Sequence, residues 1–227
     1  MDNNKLQLFI SLSLGDGSVD GNSINTNSVH REYLEFKAAL AGIETDKIVT
    51  TVNSGYKKAH IHSLRIPAND VFRDLRKVEI EKLLYLLDDL GLAMWFYDDG
   101  SLHKKELFYN LNTHAFTEQF QRDVFIPYFN SIGLYPKIFF DKKADGRKFA
   151  YLYFNKSSGA SAISLVLEKY PLKCFDYKRW DLEYALAHNE LRIKNPTASS
   201  LKIYNILKRT IGDRRPAQGT YSPTVLL

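Results

Sequence analysis

Two apolar runs stand out against an otherwise mixed chain: Leu8-Phe9-Ile10-Ser11-Leu12-Ser13-Leu14 and Leu90-Gly91-Leu92-Ala93-Met94-Trp95-Phe96-Tyr97. Each fits about two to three helical turns. The first reads as a helix over residues 5–15, and Asp88 and Asp89 stand before the second as N-caps. After Ser18 the polar residues 19–23 read as a turn, followed by a strand over 24–28 and a helix over 30–40 that stops at Gly42. Two strand-like runs, 48–52 and 57–66, flank an Asn53-Ser54-Gly55 turn, and Pro67 opens a short helix. The second half repeats the order. A hairpin about Lys104-Lys105 lies within 101–113, a helix over 117–133 is kinked near Pro127, strands 137–141 and 148–154 flank Ala144-Asp145-Gly146, and Ser157 caps a last helix. Asn25-Thr26-Asn27 matches Asn110-Leu111-Asn112, and Ala41-Gly42-Ile43 matches Ile132-Gly133-Leu134, so the chain contains an internal repeat. The pattern predicts an α+β fold of two αββαββα repeats, over 1–82 and 83–180. A basic helical extension follows over 181–227 and ends in a disordered stretch from Pro216.

Both apolar helices run into the same tripeptide, as Leu14-Gly15-Asp16-Gly17-Ser18 and Tyr97-Asp98-Asp99-Gly100-Ser101. One Asp-Gly-Ser is an ordinary helix stop. Two, each behind an apolar helix and each followed by the same elements, ask for a common cause. A carboxylate at a helix C-terminus faces the negative end of the macrodipole, unfavourable by up to about 1 kcal/mol, unless a cation lies near. Carboxylate and carbonyl oxygens gathered at two paired helix ends form a hard-ligand site suited to Mg²⁺. Small side chains at Ser11, Ser13, Gly15, Gly91 and Ala93 would let the two helices approach closely, with Met94, Trp95 and Phe96 filling the flanks.

The stretch Leu92-Ala93-Met94-Trp95-Phe96-Tyr97-Asp98-Asp99-Gly100-Ser101 is similar to a common form of the LAGLIDADG motif. The chain resembles the LAGLIDADG homing endonuclease family, of the monomeric two-motif type, over roughly residues 5–180. The resemblance implies a pseudo-two-fold molecule with the motif helices paired at the interface and two antiparallel, saddle-shaped sheets on DNA. It implies one phosphodiester hydrolysed on each strand of a long double-stranded target, leaving short 3′ overhangs. It also implies dependence on Mg²⁺, with Mn²⁺ able to substitute and Ca²⁺ supporting binding without cleavage. Asp16 and Asp99 would be the catalytic metal ligands above the minor groove. Asp98 is a weaker candidate, because its counterpart is Gly15. The family places a basic residue near each metal, which points to Lys178 and, in the first repeat, to Lys77, with Arg76 and Lys82 competing for the latter role.

A hydrophobic content of 44%, with 13% aromatic residues, is ample for a packed core, and the net charge of +5 favours a polyanionic partner. The single cysteine, Cys174, excludes an internal disulfide and a multi-cysteine zinc site, and reads as a small buried hydrophobe. No signal-peptide pattern opens the chain and no apolar run approaches about 20 residues, so the expectation is a soluble, intracellular protein with no membrane role. Strands solvated on one face can lie in a major groove and present alternate side chains to base edges. In the first repeat the candidates are Asn25, Asn27, Thr51, Lys57, His60, His62 and Arg65. There either the histidines or Ala59, Ile61, Ser63 and Arg65 face the groove, depending on a one-residue register shift. In the second they are Asn110, Asn112, Lys137, Arg147, Tyr151, Tyr153 and Asn155, with Ala150, Leu152 and Phe154 on the core face. His60-Ile61-His62 lacks the partners of a zinc site or a ββα-metal nuclease. Two rivals stand beside the nuclease: a non-catalytic LAGLIDADG RNA maturase, which would bring host intron RNA as a partner, and a metal-free regulatory DNA-binding module.

Overall fold

Asp2 and Asp88 begin the two apolar helices, each accepting from backbone N–H groups of the first turn. These helices are α1 (Asn3–Leu14) and α5 (Asp89–Asp99), and they pack against each other. A computed structural model of the chain describes residues 2–179, apart from 21, 55–58, 68–69, 76 and 105. The helical extension and basic side chains expected beyond 180 lie outside the described residues, as does Lys57. Close approach is enforced where a side chain would collide: a Cβ on Gly91 would stand 2.4 Å from Gln7 Oε1. Gln7 is itself buried and ties the helices together, its amide donating to Leu86 O and accepting from Asp88 N, each at 2.9 Å. Ser11 is buried against Met94, whereas Ser13 is exposed and bonds back to Phe9 O, so Ser13 is not part of the helix interface. Met94 joins the first repeat's core with Leu8, Phe9, Leu12, Ile24 and Leu34. Trp95 packs on Phe125 and Phe129, and Phe96 on Tyr109 and Phe154.

Each motif helix passes directly into a four-stranded antiparallel sheet. The first contains β1 (Gly17–Asp20), β2 (Ser23–Ser28), β3 (Val49–Ser54) and β4 (Ala59–Pro67) in the order β1-β2-β4-β3. The second contains β5 (Gly100–His103), β6 (Phe108–Leu111), β7 (Lys137–Lys142) and β8 (Lys148–Phe154) in the equivalent order β5-β6-β8-β7. Residues 17–20, read partly as a turn from sequence, pair with β2; backbone pairing outweighs the local turn propensity of a polar segment. Helix α2 (Arg31–Ala41), ended by Gly42 at φ 69°, covers the first sheet. It is followed by α3 (Asp70–Leu75), which begins three residues after Pro67 closes β4, and by α4 (Ile80–Leu84), within which the expected repeat boundary at 82 falls. In the second repeat the kink expected near Pro127 is a π-helical segment, Gln121–Phe125, between α6 (Glu118–Phe120) and α7 (Ile126–Ser131). Helix α8 (Ser161–Lys169) and a 3₁₀ turn, Lys173–Lys178, complete it. All of this lies in one compact unit, Met1–Leu182.

Register fixes which side chains face away from the core. Thr26 opposite Leu64 and Ile24 opposite Ile66 are buried pairs, so Asn25 with Arg65, Asn27 with Ser63, and Ile61 with Thr51 form the open face. This corrects the histidine alternative: His62 alternates with the open-face residues and bonds Thr50 Oγ1 at 2.8 Å from the core side of the sheet, and His60 shares its parity. In the second sheet Ala150, Leu152 and Phe154 are buried as expected. Its open face carries Ser101, Asn110, Lys137, Tyr151 and Tyr153. Arg147 sits in the turn before β8, ion-paired to Asp145 at 2.7 Å; Asn112 and Asn155 lie just past the strand ends.

Candidate active site

Asp16 and Asp99 arrive at one place because α1 and α5 end side by side. A Cβ built on Gly15 would stand 3.1 Å from Asp99 Oδ2, 3.1 Å from Asp98 Oδ2 and 3.0 Å from Asp98 Cβ. The first motif therefore carries Gly15 where the second carries Asp98: the glycine leaves the space that the aspartate fills. Burial, then the neighbouring Asp16 and Asp98, push the Asp99 carboxyl up to about 8, with Lys178 and Lys37 opposing. Asp16 is raised by burial and by Asp98, against Lys37 and Lys178. A cleft lined by Asp16, Asn27, His30, Asp98, Tyr177 and Lys178 opens there.

Asp98 is not a third open acid. Its side chain and that of Lys37 are at most 1% exposed, and Lys37 Nζ donates to Asp98 Oδ1 at 2.8 Å and to Thr26 Oγ1 at 3.1 Å, lying 4.2 Å from the Tyr33 ring centre. Asp98 Oδ2 is buried with no protein partner. The pair joins α2 of one repeat to α5 of the other. Its sequence signal is a lysine inside the buried stripe Tyr33, Leu34, Lys37, Ala38, where an unpaired ammonium would not be tolerated.

Lys178, the first candidate for a site lysine, is buried beside the acids. Its ammonium donates to Tyr97 O and, at 3.4 Å, to Asp98 O, two carbonyls in the last turn of α5, and burial lowers it to about 8 against the three carboxylates. Lys77 is placed elsewhere: it is exposed and paired to Asp74 at 2.9 Å. Among the described residues of the first repeat, the cation that bears on Asp16 and Asp99 is Lys37, whose ammonium is engaged by Asp98 and Thr26. Sequence reading also missed what holds Lys178. The two Glu32 oxygens accept from the backbone N–H groups of Lys173 and Cys174, each at 2.9 Å, capping the 3₁₀ turn that carries it. Phe175 of that turn stacks on Tyr97 at 4.8 Å and meets Tyr33 edge-on at 4.9 Å.

Residues 12–161 match the family model described as the LAGLIDADG DNA endonuclease family. Among solved structures, the homing endonuclease I-WcaI bound to its DNA recognition sequence aligns with a TM-score of 0.61 at 15% identity, over 79% of this chain and 87% of that one. Meganuclease I-SmaMI bound to uncleavable DNA gives 0.47 at 15% identity, over 92% and 96%. The N-terminal LAGLIDADG domain of DUF199/WhiA gives 0.47 at 12%, over 75% and 82%. No curated protein matches the sequence. Among the described residues, no helix is long and apolar enough to cross a membrane.

Proposed function

We propose that this chain, which belongs to the LAGLIDADG DNA endonuclease family, is a monomeric, site-specific homing endonuclease that hydrolyses one phosphodiester on each strand of a long duplex and leaves short 3′ overhangs. One observation carries the reading: Asp16 and Asp99, one from each motif, meet at the end of the helix pair, where burial and neighbouring carboxylates raise both.

The donor set suits Mg²⁺. Two carboxylates, Asp16 and Asp99, converge, while the third, Asp98, is engaged by Lys37. Mg²⁺ is held in just this way, by one or two carboxylates completed by water and substrate phosphate oxygens. Asp16 and Asp99 would hold the metal, with Mn²⁺ as a substitute and Ca²⁺ supporting binding alone. When bound, divalent metal supplies a water made nucleophilic near neutral pH and charge neutralisation at the phosphate and the leaving 3′ oxygen.

The chain's own groups prepare that chemistry. Lys178 has three N–H donors; two are spent on Tyr97 O and Asp98 O, leaving one for a phosphate oxygen or the attacking water. Its charge also offsets the negative end of α5, where Asp99 sits. Lys37, fully buried, donates to no substrate; it holds Asp98 and adds positive potential beneath the acids. The test is a library of candidate insertion-site duplexes with Mg²⁺, against the wild type, Asp16→Asn and Asp99→Asn. Double-strand cleavage by the wild type, lost in either variant while duplex affinity in Ca²⁺ is kept, is the expected result. Full cleavage by either variant removes the site assignment, and binding without any cleavage points to a non-catalytic nucleic-acid binder.

A further inference from the structure

The two sheets share one strand order and corresponding registers, so their open faces can be compared position by position. Ser18 opposite Asn25 corresponds to Ser101 opposite Asn110, and the chemistry is the same. Beyond that column it diverges. Asn25 faces Arg65 where Asn110 faces Tyr153, and two residues earlier on the long strand Ser63 corresponds to Tyr151. On the outer strand Val49 opposite Ser63 becomes Phe139 opposite Tyr151. The first face is built of amides, hydroxyls and a guanidinium beside small aliphatic groups. The second is a run of rings across all four strands: His103 stacks on Phe108 at 4.2 Å, Phe108 meets Tyr153 at 4.8 Å, and Tyr153 meets Phe139 at 4.7 Å.

A contiguous exposed aromatic surface on a solvent-facing sheet calls for an occupant, since Phe139 alone is 43% exposed. The setting names it. Lys137 stands on this face opposite Tyr153, and Lys143 and Arg147 lie over the ring of Phe149 on the same face at 5.9 and 5.7 Å, matching a polyanion; β5 leads out of Asp99 itself, so the surface is continuous with the catalytic end. The rings already pack on one another, which leaves edges rather than open faces, and so favours a groove over unstacked bases. The edges of Phe108 and Phe139 carry no hydrogen-bonding group, so they can meet a base only by apolar contact. The one apolar group that a base presents in the major groove is the thymine C5-methyl.

We infer that the two half-sites are read by different chemistries: the first sheet by hydrogen bonds from Asn25, Asn27 and Arg65, the second by apolar contact between its aromatic face and thymine methyl groups. This rests on the proposed reading that duplex DNA lies along both sheets.

The target sequence need not be known for the experiment. Duplexes with randomised sequence are selected on the full chain in Ca²⁺, and one recovered duplex is resynthesised with deoxyuridine for every thymine in one half or in the other. Uracil keeps every hydrogen-bonding group and lacks only the methyl. Affinity should fall about fourfold per contacted methyl, the factor corresponding to about 0.8 kcal/mol per buried carbon, for one half alone. The Phe139→Ala variant, at an exposed position safe for folding, should lose part of that difference, and Arg65→Ala should keep it. Uracil tolerated in both halves, equal losses in both, or a loss unchanged in Phe139→Ala and in Phe139→Ala/Tyr151→Ser overturns the inference while leaving cleavage standing. Recovery of single strands only, or of nothing, overturns the inference and the proposed function together.

Discussion

A carboxyl at a helix C-terminus beside two more carboxyls prefers its proton, and Asp99 shows the consequence. Its folded-state value is raised from the ordinary 3.8 to about 8. A group that binds its proton more tightly when folded contributes stability that is complete at low pH and is lost as pH climbs through that interval. Thermal unfolding of the metal-free protein should therefore show a midpoint that falls between about pH 4 and 8. Asp99→Asn, which cannot ionise, should flatten the fall, and adding Mg²⁺ at the upper end should restore the wild type and leave the variant unmoved. A wild-type midpoint that rises across the interval would place Asp99 away from the other acids. Lys178 acts with the opposite sign in the next interval: lowered from 10.5 to about 8, it is charged at a cost below 8, so its penalty fades as pH rises from there. The acids were legible in the sequence because a doubled Asp-Gly-Ser has no local explanation. Lys37 was not, because its partner Asp98 lies 61 residues away and only the packed repeats bring them together.

At the scale of elements, α2 does more than cover a sheet. This first-repeat helix carries Glu32, Tyr33 and Lys37, and each holds a part of the second repeat: the turn bearing Lys178, the carbonyl of Met94 and Asp98. Glu32 accepts from the turn's backbone and would act on the site only through it. Removing its two acceptors should weaken the turn by about 1 kcal/mol, the scale of a lost helix cap. Glu32→Ala should accordingly slow single-turnover cleavage severalfold with duplex affinity kept, and speed amide exchange at Lys173 and Cys174. Glu32→Gln, with one acceptor left, should fall between. Loss of affinity in proportion to rate would instead make Glu32 part of a DNA contact. The helices and most strands could be read from periodicity, caps and turn residues. The β1 strand and the facing of β4 could not, since a four-residue polar strand has no period to read and a strand with histidine, serine and isoleucine on alternating positions does not declare its buried side. Both were decided by pairing with β2.

For the whole molecule, the repeat is a frame within which the chemistry has been allowed to drift. The same αββαββα order and the same strand order return, and Asp16 and Asp99 occupy equivalent places. The cations do not. Lys178 keeps an N–H available at the site; Lys37 is sealed behind Asp98; Lys77, after the first repeat's short helix, is out on the surface. If the ammonium of Lys178 bonds to the attacking water or to a phosphate oxygen, its worth is greatest in the transition state, where charge on those oxygens exceeds that of the ground state. Lys178→Met should then slow the chemical step more than it weakens binding. If, as proposed, each strand is cut beside a different part of the site, the slowing should fall on one strand and build up a nicked intermediate. Lys77→Met should change neither strand, since its partner is Asp74. Strand-resolved single-turnover assays with either 5′ end labelled measure all three at once. Equal slowing of both strands by Lys178→Met would mean that the lysine only braces α5, and nicking by Lys77→Met would return that residue to the site from which its placement removes it.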